Sequence, residues 1–181
     1  MSRAVFARRL GTAAAVAAMM ALAACASPSR PEAMILGATP GLIASSGDLG
    51  YHSVTSVVVS GGAETNPLWT AQVSNEDLKT ALEGSLAAAG YMGSDGQPMV
   101  VTANMVELAQ PMMGLDMSVT SRIQYSVTSG GRVVFNETVA ATGTATMGEA
   151  FAGVERLRLA NEKSIQENIK QFITRFRATA R

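Results

Sequence analysis

The feature that most constrains the fold is a stretch of strict two-residue alternation at residues 116–128. Its apolar side chains point to one side and its polar side chains to the other, as in a β-strand with one buried face. A Ser-Gly-Gly turn follows at 129–131, and residues 132–144 return as a second strand, so the pair predicts a β-hairpin. The inward side chains are Met117, Val119, Ile123, Tyr125 and Val127. A sheet of this kind has an apolar face that other elements must cover.

The first candidate cover is a helix that begins after Ser74. Asp77 stands three residues later, in the manner of a capping box, and Gly90 is a typical residue just beyond a helix end. Apolar residues recur every three or four positions between these limits, at Leu78, Leu82, Leu86 and Ala89. This spacing predicts one apolar helix face.

A second, longer helix is predicted from about Val154 onward. Its apolar stripe consists of Leu157, Ile165, Ile169, Phe172 and Phe176. Opposite charges three or four residues apart are predicted to lie on its solvent side, at Glu155, Arg158, Glu162, Lys163, Glu167 and Lys170.

Two further strands are predicted at Val54–Ser60 and Met99–Leu108, which gives the element order β-α-β-β-β-α. We therefore predict an α+β fold: a two-layer domain with a four-stranded, mostly antiparallel sheet covered by two helices. This domain follows a signal peptide and a flexible tether.

The chain begins with the pattern of an export signal. Three arginines within the first nine residues precede an apolar run at 10–24, which is shorter than the ~20 residues of a transmembrane helix. The run ends in Leu22-Ala23-Ala24-Cys25, which resembles the lipobox of bacterial lipoproteins. The resemblance implies that the Cys25 thiol is alkylated with diacylglycerol and that a signal peptidase cuts before it. The alternative is a buried, inert cysteine after an ordinary signal.

These observations divide the chain into three parts. Residues 1–24 are a lipoprotein signal peptide, residues 25–50 are the lipidated cysteine and a Ser-, Pro- and Gly-rich tether, and residues 51–181 are the α+β domain. The apolar clusters at 34–36 and 42–43 are expected to dock on the domain. By resemblance to lipoprotein sorting rules, Ala26 after the cysteine favours the outer membrane, with the domain at its periplasmic face.

Charge and cysteine content narrow the functional classes. Without residues 1–24 the chain keeps eleven basic and fourteen acidic side chains, a net charge of −3 that offers no general attraction for nucleic acid. Cys25 is the only cysteine, so no intrachain disulfide is available and the core must supply the stability.

Several segments together resemble the YajG-like envelope lipoproteins. They are "SNEDLKTALEGSLAAAGY", "GSDGQPMVVTANMVEL", "SVTSRIQYSVTSGGRVVFNETV" and the terminal helix, which cover roughly residues 51–178. The resemblance carries no catalytic residue to transfer. Related envelope lipoproteins act as accessory parts of lipid-transport or cell-wall assemblies, and this is the functional hint that the resemblance implies.

No pattern of catalytic or cofactor-binding chemistry is present. The chain lacks phosphate-binding glycine loops, a nucleophile elbow and a zinc-protease motif, and its single histidine, His52, is predicted to lie at a surface or strand edge. The carboxylates Asp116, Glu149 and Glu155 have no metal-ligand spacing. Asp116 and Glu137 facing each other across the hairpin would be the only acid pair, and a solvated face is the simpler interpretation. We therefore predict no enzyme, no cofactor and no metal.

Two features suggest partner contacts. The loop at 110–115 carries Met112, Met113 and Leu115, which either fold under the sheet or form an exposed docking patch. Residues 155–181 carry a net charge of +4, with Arg175, Arg177 and Arg181 near the end of the last helix. These arginines either complement the helix dipole or contact anionic lipid or an acidic partner.

The predicted function is a lipid-anchored, non-catalytic binding or assembly module. Its partners are the membrane, through Cys25, and an envelope protein, with no nucleic acid. The alternative is an accessory lipoprotein of a lipid-transport system, which would need an apolar cavity between helices and sheet, and an enzyme would need a polar cleft.

Overall fold

A computed structural model describes residues 26–67 and 70–179, and these form one sheet with a helical layer on one face. The strands are β1 (Val54–Ser60), β2 (Met99–Ala109), β3 (Met117–Ser129) and β4 (Arg132–Ala145), in the spatial order β1-β2-β3-β4. The helices are α1 (Pro31–Met34), α2 (Asn75–Ala88) and α3 (Gly153–Thr179). β1 pairs with β2 in parallel and the other pairs are antiparallel, which confirms the predicted α+β fold.

The strand directions define two ends of the domain. β1 and β2 terminate at one end of the sheet, where β3 begins and β4 terminates, and we call this the upper end. It carries the chain between β1 and α2, the loop 110–116 and the loop 146–152. The lower end carries the turn 130–131 and the start of β1.

The core lies between the sheet and the two long helices. Tyr125 of β3 stacks on Phe172 of α3 with ring centroids 4.1 Å apart, and Phe135 of β4 meets Phe172 and Phe176 edge-on. The predicted apolar stripe of α3 and the predicted inward face of β3 are both buried. Each such side chain stabilises the fold by about 1.5–3 kcal/mol, so this cluster decides which helix face meets the sheet.

A buried polar network fixes the register of α3 on the sheet. The Asn168 amide nitrogen donates to the Val139 carbonyl over 3.0 Å, and its oxygen accepts from the Tyr125 hydroxyl over 3.0 Å. Ser121 and Ser164 extend the network through their hydroxyls, 2.8 Å apart. Burial raises the pKa of the Tyr125 hydroxyl, which therefore stays a neutral donor. The apolar pattern of the sequence did not assign a role to these polar residues.

Two of the charges predicted on the solvent side of α3 are buried, so that part of the prediction was wrong. Arg158 is 5% exposed and Glu162 is 3% exposed, and Arg158 forms ion pairs with both Glu155 and Glu162. Glu162 also accepts the backbone N–H of Arg30 over 2.8 Å. The physical reason is that the chain ahead of β1 covers this side of α3.

The segment 26–50, predicted as a flexible tether, packs along the helical layer. It contacts both α2 and α3, and Met34, in its short helix α1, is fully buried. The N–H of Leu36 donates to the Ser85 hydroxyl over 2.9 Å, and the N–H of Ala44 donates to the Ala89 carbonyl over 2.8 Å. The apolar clusters expected to dock do so through Met34, Leu36 and Leu42, and the segment is also held before and after them, whereas the stretch 37–41 between them is largely exposed. No helix in the described part of the chain is long and apolar enough to cross a membrane.

Candidate functional site

An apolar patch projects from the upper end of the domain. Met112, Met113 and Leu115 are 98%, 87% and 75% exposed, which favours the docking patch over a loop folded under the sheet. Phe151, from the neighbouring loop 146–152, is 86% exposed. We call these four residues the upper patch. Scattered apolar side chains are normal on a protein surface, whereas a cluster on two adjacent loops is a candidate interaction site.

Arg156, at the start of α3, holds the two loops of the upper patch together. Its buried guanidinium donates to the carbonyls of Ala150 and Phe151 on one loop and to the Gly114 carbonyl on the other, over 3.4 Å. The Asp116 carboxylate adds a second link by accepting the N–H of Met147. The apolar side chains therefore stand on loops that polar contacts fix in place.

The start of the described chain lies at the same end of the domain. The N–H of Ala26 donates to the Pro67 carbonyl over 2.8 Å, and the N–H of Ser29 donates to the Gln72 carbonyl over 3.3 Å. Gln72 is in turn hydrogen-bonded to Gln110, at the base of the loop that carries three of the four patch residues. Cys25 and the signal peptide lie outside the described residues, but Cys25 is covalently joined to Ala26.

The exposure of the patch predicts a specific result for stability. Changing Met112 and Met113 together to Ser is expected to alter the free energy of unfolding by no more than about 0.5 kcal/mol, as at ordinary surface positions. The matched control is Met99→Ser, because Met99 is buried in the core and its loss is expected to cost about 2 kcal/mol or more. Thermal or urea unfolding measures both. A loss of several kcal/mol in the double variant would mean that the loop is part of the core.

The arginines predicted as partner contacts lie far from the upper patch. Arg175 and Arg177 stand at the lower end, more than 20 residues along α3 from its start, or about 33–36 Å at 1.5 Å per residue. Arg175 pairs with Glu137 over 3.3 Å, and Arg177 pairs with Asp48 over 3.1 Å and also donates to the Gly41 carbonyl. These contacts tie the end of α3 to β4 and to the N-terminal segment. Arg181 lies outside the described residues.

The residues considered for catalysis are dispersed. His52 lies at the lower end, where it stacks on Tyr51 and meets the exposed carboxylate of Asp95 over 2.9 Å. Glu137 is paired with Tyr125 in the sheet register, whereas Asp116 precedes β3 at the upper end, so the two carboxylates do not face each other. Among residues 26–67 and 70–179, no group of three His, Cys, Asp or Glu side chains is placed to hold a metal ion.

An open cleft of about 750 Å³ lies at the lower end of the domain. Its lining mixes polar and apolar groups, among them Asp48, Tyr51, Asp95, Gln97 and Arg132. It lies outside the layer between sheet and helices, where aromatic and aliphatic side chains fill the interior. The cleft therefore does not have the apolar lining that lipid transport inside the fold would require.

Two hydrogen-bonded carboxylates, Glu149 and Asp48, predict how stability depends on pH. A hydrogen bond from Lys163 lowers the pKa of Glu149, and one from the Ser45 backbone, together with Arg177, lowers the pKa of Asp48. Groups with lowered pKa stabilise the fold above their ordinary values of 4.5 and 3.8, and this contribution is lost as the pH falls through the lower folded-state values.

We therefore expect the free energy of unfolding to be nearly flat around neutral pH and to decline below about pH 4.5. Urea unfolding across the pH range measures this decline. The Glu149→Gln variant should show a shallower decline, and an identical slope in variant and wild type would contradict the assignment.

Comparison with known proteins shows a shared fold. No family model and no curated protein matches the chain. Protein XCC0632 from Xanthomonas campestris, of the family DUF330, is similar in structure with a TM-score of 0.57 and 8% identity, over 85% of this chain and 94% of that one. At this identity the likeness shows the fold alone.

Two weaker likenesses add no argument. Protein CT253 from Chlamydia trachomatis has a TM-score of 0.46 at 11% identity, over 70% of this chain and 94% of that one. A minor lipoprotein from Acinetobacter baumannii has a TM-score of 0.45 at 16% identity, over 71% of this chain and 92% of that one. Membership of the YajG-like family remains a prediction from the sequence.

Proposed function

We propose that this chain is a lipid-anchored lipoprotein of the bacterial cell envelope, held through Cys25 at the periplasmic face of the outer membrane. The basic start, the short apolar run and the lipobox support the anchor, and Ala26 after the cysteine supports the outer membrane. In this proposal the domain is a non-catalytic binding or assembly module that contacts an envelope protein.

The observation that carries the proposal is a filled interior combined with exposed contact surfaces. The layer between sheet and helices is packed with apolar side chains, while the opposite sheet face has no helix on it in the described chain. That open face is lined by hydroxyl pairs such as Ser118–Thr144 and Thr120–Thr142, and by the Arg122–Glu107 ion pair. A packed core with free surfaces suits a binding module better than a carrier or an enzyme.

The alternative is an accessory lipoprotein of a lipid-transport system. A lipid-carrying role would need an apolar cavity, and the lower-end cleft of about 750 Å³ has a mixed lining instead. The upper patch favours a version of this alternative in which the domain touches lipid at its surface. Under that version the protein assists another component and does not enclose a lipid molecule.

Photocrosslinking in intact envelopes tests the proposal. A photoreactive amino acid is placed at position 124, on the open sheet face, and in separate chains at position 113 in the upper patch. We expect a discrete adduct with one envelope protein from the open face, and mass spectrometry of the adduct identifies the partner. Absence of a protein adduct from both positions would contradict a binding module.

A further inference from the structure

A lipid anchor on Cys25 would be attached at the same end of the domain as the upper patch. This step rests on the proposed lipidation of Cys25, which a peptide bond joins to Ala26, with the two Cα atoms about 3.8 Å apart. Ala26 is itself fixed to the Pro67 carbonyl, and the contacts from Ser29 through Gln72 lead to the loop of the upper patch. Acyl chains on Cys25 therefore leave the protein at the end where the four exposed apolar side chains project.

Because the N-terminal segment is docked on the domain, it does not act as a flexible tether. A free coil of 25 residues would span roughly 25–30 Å and would allow the domain to stand off the bilayer. Residues 26–50 instead descend the helical layer from the upper end to the lower end, with Leu36 bonded to Ser85 and Ala44 bonded to Ala89. The distance between the domain and the membrane is therefore set by the upper end of the domain.

We propose that the upper patch rests in the phospholipid surface that holds the anchor, with Met112, Met113, Leu115 and Phe151 entering the boundary between headgroups and acyl chains. Exposed apolar side chains gain free energy at this depth, and a bilayer contact strengthens an acyl anchor attached at the same place. Methionine suits a fluid surface because its side chain is flexible and polarizable. The carbonyls of Gly114, Ala150 and Phe151 stay bonded to Arg156, so these three backbone groups do not enter the boundary unpaired.

The size and position of the patch favour lipid over a protein occupant. Four side chains of this size expose on the order of 150 Å² each, which together is less than the ~800 Å² per partner of a stable protein interface. A protein bound at the patch would also have to fit between the domain and the bilayer that holds Cys25. Neither restriction, the minimum interface area or the limited space beside the bilayer, applies to a phospholipid surface.

The charges at the upper end predict that the contact is apolar in character. The carboxylates of Glu64, Asp116 and Glu149 lie there. Its cations are already engaged: Lys163 pairs with Glu149 over 2.6 Å, Arg30 and Arg158 pair with Glu162, and Arg156 is buried. Anionic headgroups therefore gain little attraction from this end. The membrane contact should be insensitive to salt, because screening acts on charges and not on apolar burial.

Depth measurement on the mature, lipidated protein in phosphatidylethanolamine–phosphatidylglycerol vesicles tests the inference. Cys25 carries the lipid, so a single added cysteine takes an environment-sensitive fluorophore, in Met113→Cys at the patch and in Val133→Cys as the control. Val133 is also exposed and apolar but lies at the lower end. Vesicles with spin-labelled acyl chains then quench only a fluorophore that sits in the bilayer.

We expect quenching at position 113 of roughly twofold or more, unchanged between low and high salt, and none at position 133. Equal weak quenching at both positions would overturn the inference, as would quenching at 113 that disappears in high salt. The fluorophore at position 113 could instead be buried but unquenched, with an emission shift that grows as the density of protein on the vesicles rises. That result would assign the patch to contact with a second copy of the chain, and it would also overturn the inference. The mass of the purified protein reports acylation of Cys25 separately, so a failure of the lipoprotein proposal is recognised independently.

Discussion

Replacing Cys25 with alanine is expected to abolish incorporation of radiolabelled palmitate and to leave the signal peptide uncleaved. The thiolate is the strongest side-chain nucleophile near neutral pH, and a methyl group in its place cannot form the thioether to diacylglycerol. Without acyl chains the protein loses about 0.8 kcal/mol of membrane-binding free energy for every CH₂ that would be buried. Stable attachment through lipid is therefore lost. The expected effect is therefore all-or-none.

The control for this variant is Ser27→Ala. Ser27 lies two residues beyond the cysteine and is exposed, so its loss should leave both labelling and the fold unchanged. Labelling and electrophoretic mobility are measured together in whole cells. Labelling of Cys25→Ala at the wild-type level would mean that the lipobox is not used and that the N-terminal assignment is wrong.

Replacing Gly143 with valine is expected to destabilise the fold more than a substitution at any other buried position of β4. A Cβ at this position would overlap the Ser164 backbone nitrogen and lie within 2.7 Å of two further backbone atoms of α3. Backbone cannot move aside as a flexible side chain can, so α3 would have to lift from the sheet. The expected cost is about 3 kcal/mol or more, at or beyond the upper end of the usual range for overpacking.

Ala140→Val is the matched control for Gly143→Val. It adds methyl groups three residues earlier on the same strand, but on the exposed face of the sheet. Its effect on the free energy of unfolding should stay within about 0.5 kcal/mol. Urea unfolding compares the two variants, and similar values for both would contradict the close packing of α3 on β4.

The elements of the fold follow from local patterns, which explains why most of them could be predicted. Alternation along β3 and the spacing of Leu78, Leu82 and Leu86 on α2 depend only on neighbours within a few residues. The surroundings of α3 could not be predicted in this way. Arg158 and Glu162 are buried because a segment about 130 residues earlier in the chain covers them, and no helical period contains that information.

The candidate site was predicted only in part for the same reason. Three apolar residues in the loop 110–116 were visible in the sequence as a feature that needed an explanation. Phe151 joins them through Arg156, whose hydrogen bonds connect two loops 30 to 40 residues apart. Arg175 and Arg177, which the sequence singled out by their charge, lie at the opposite end of the domain, where both form ion pairs.

The membrane contact of the upper patch depends on the chemical state of Cys25, because it follows only if the anchor is there. The direct measurement is the mass of the N-terminal peptide of the protein extracted from membranes. We predict that the peptide begins at Cys25 and carries a diacylglyceryl group on sulfur. A peptide that begins elsewhere, or an unmodified Cys25 within an uncleaved chain, would contradict both the lipid anchor and the membrane contact that depends on it.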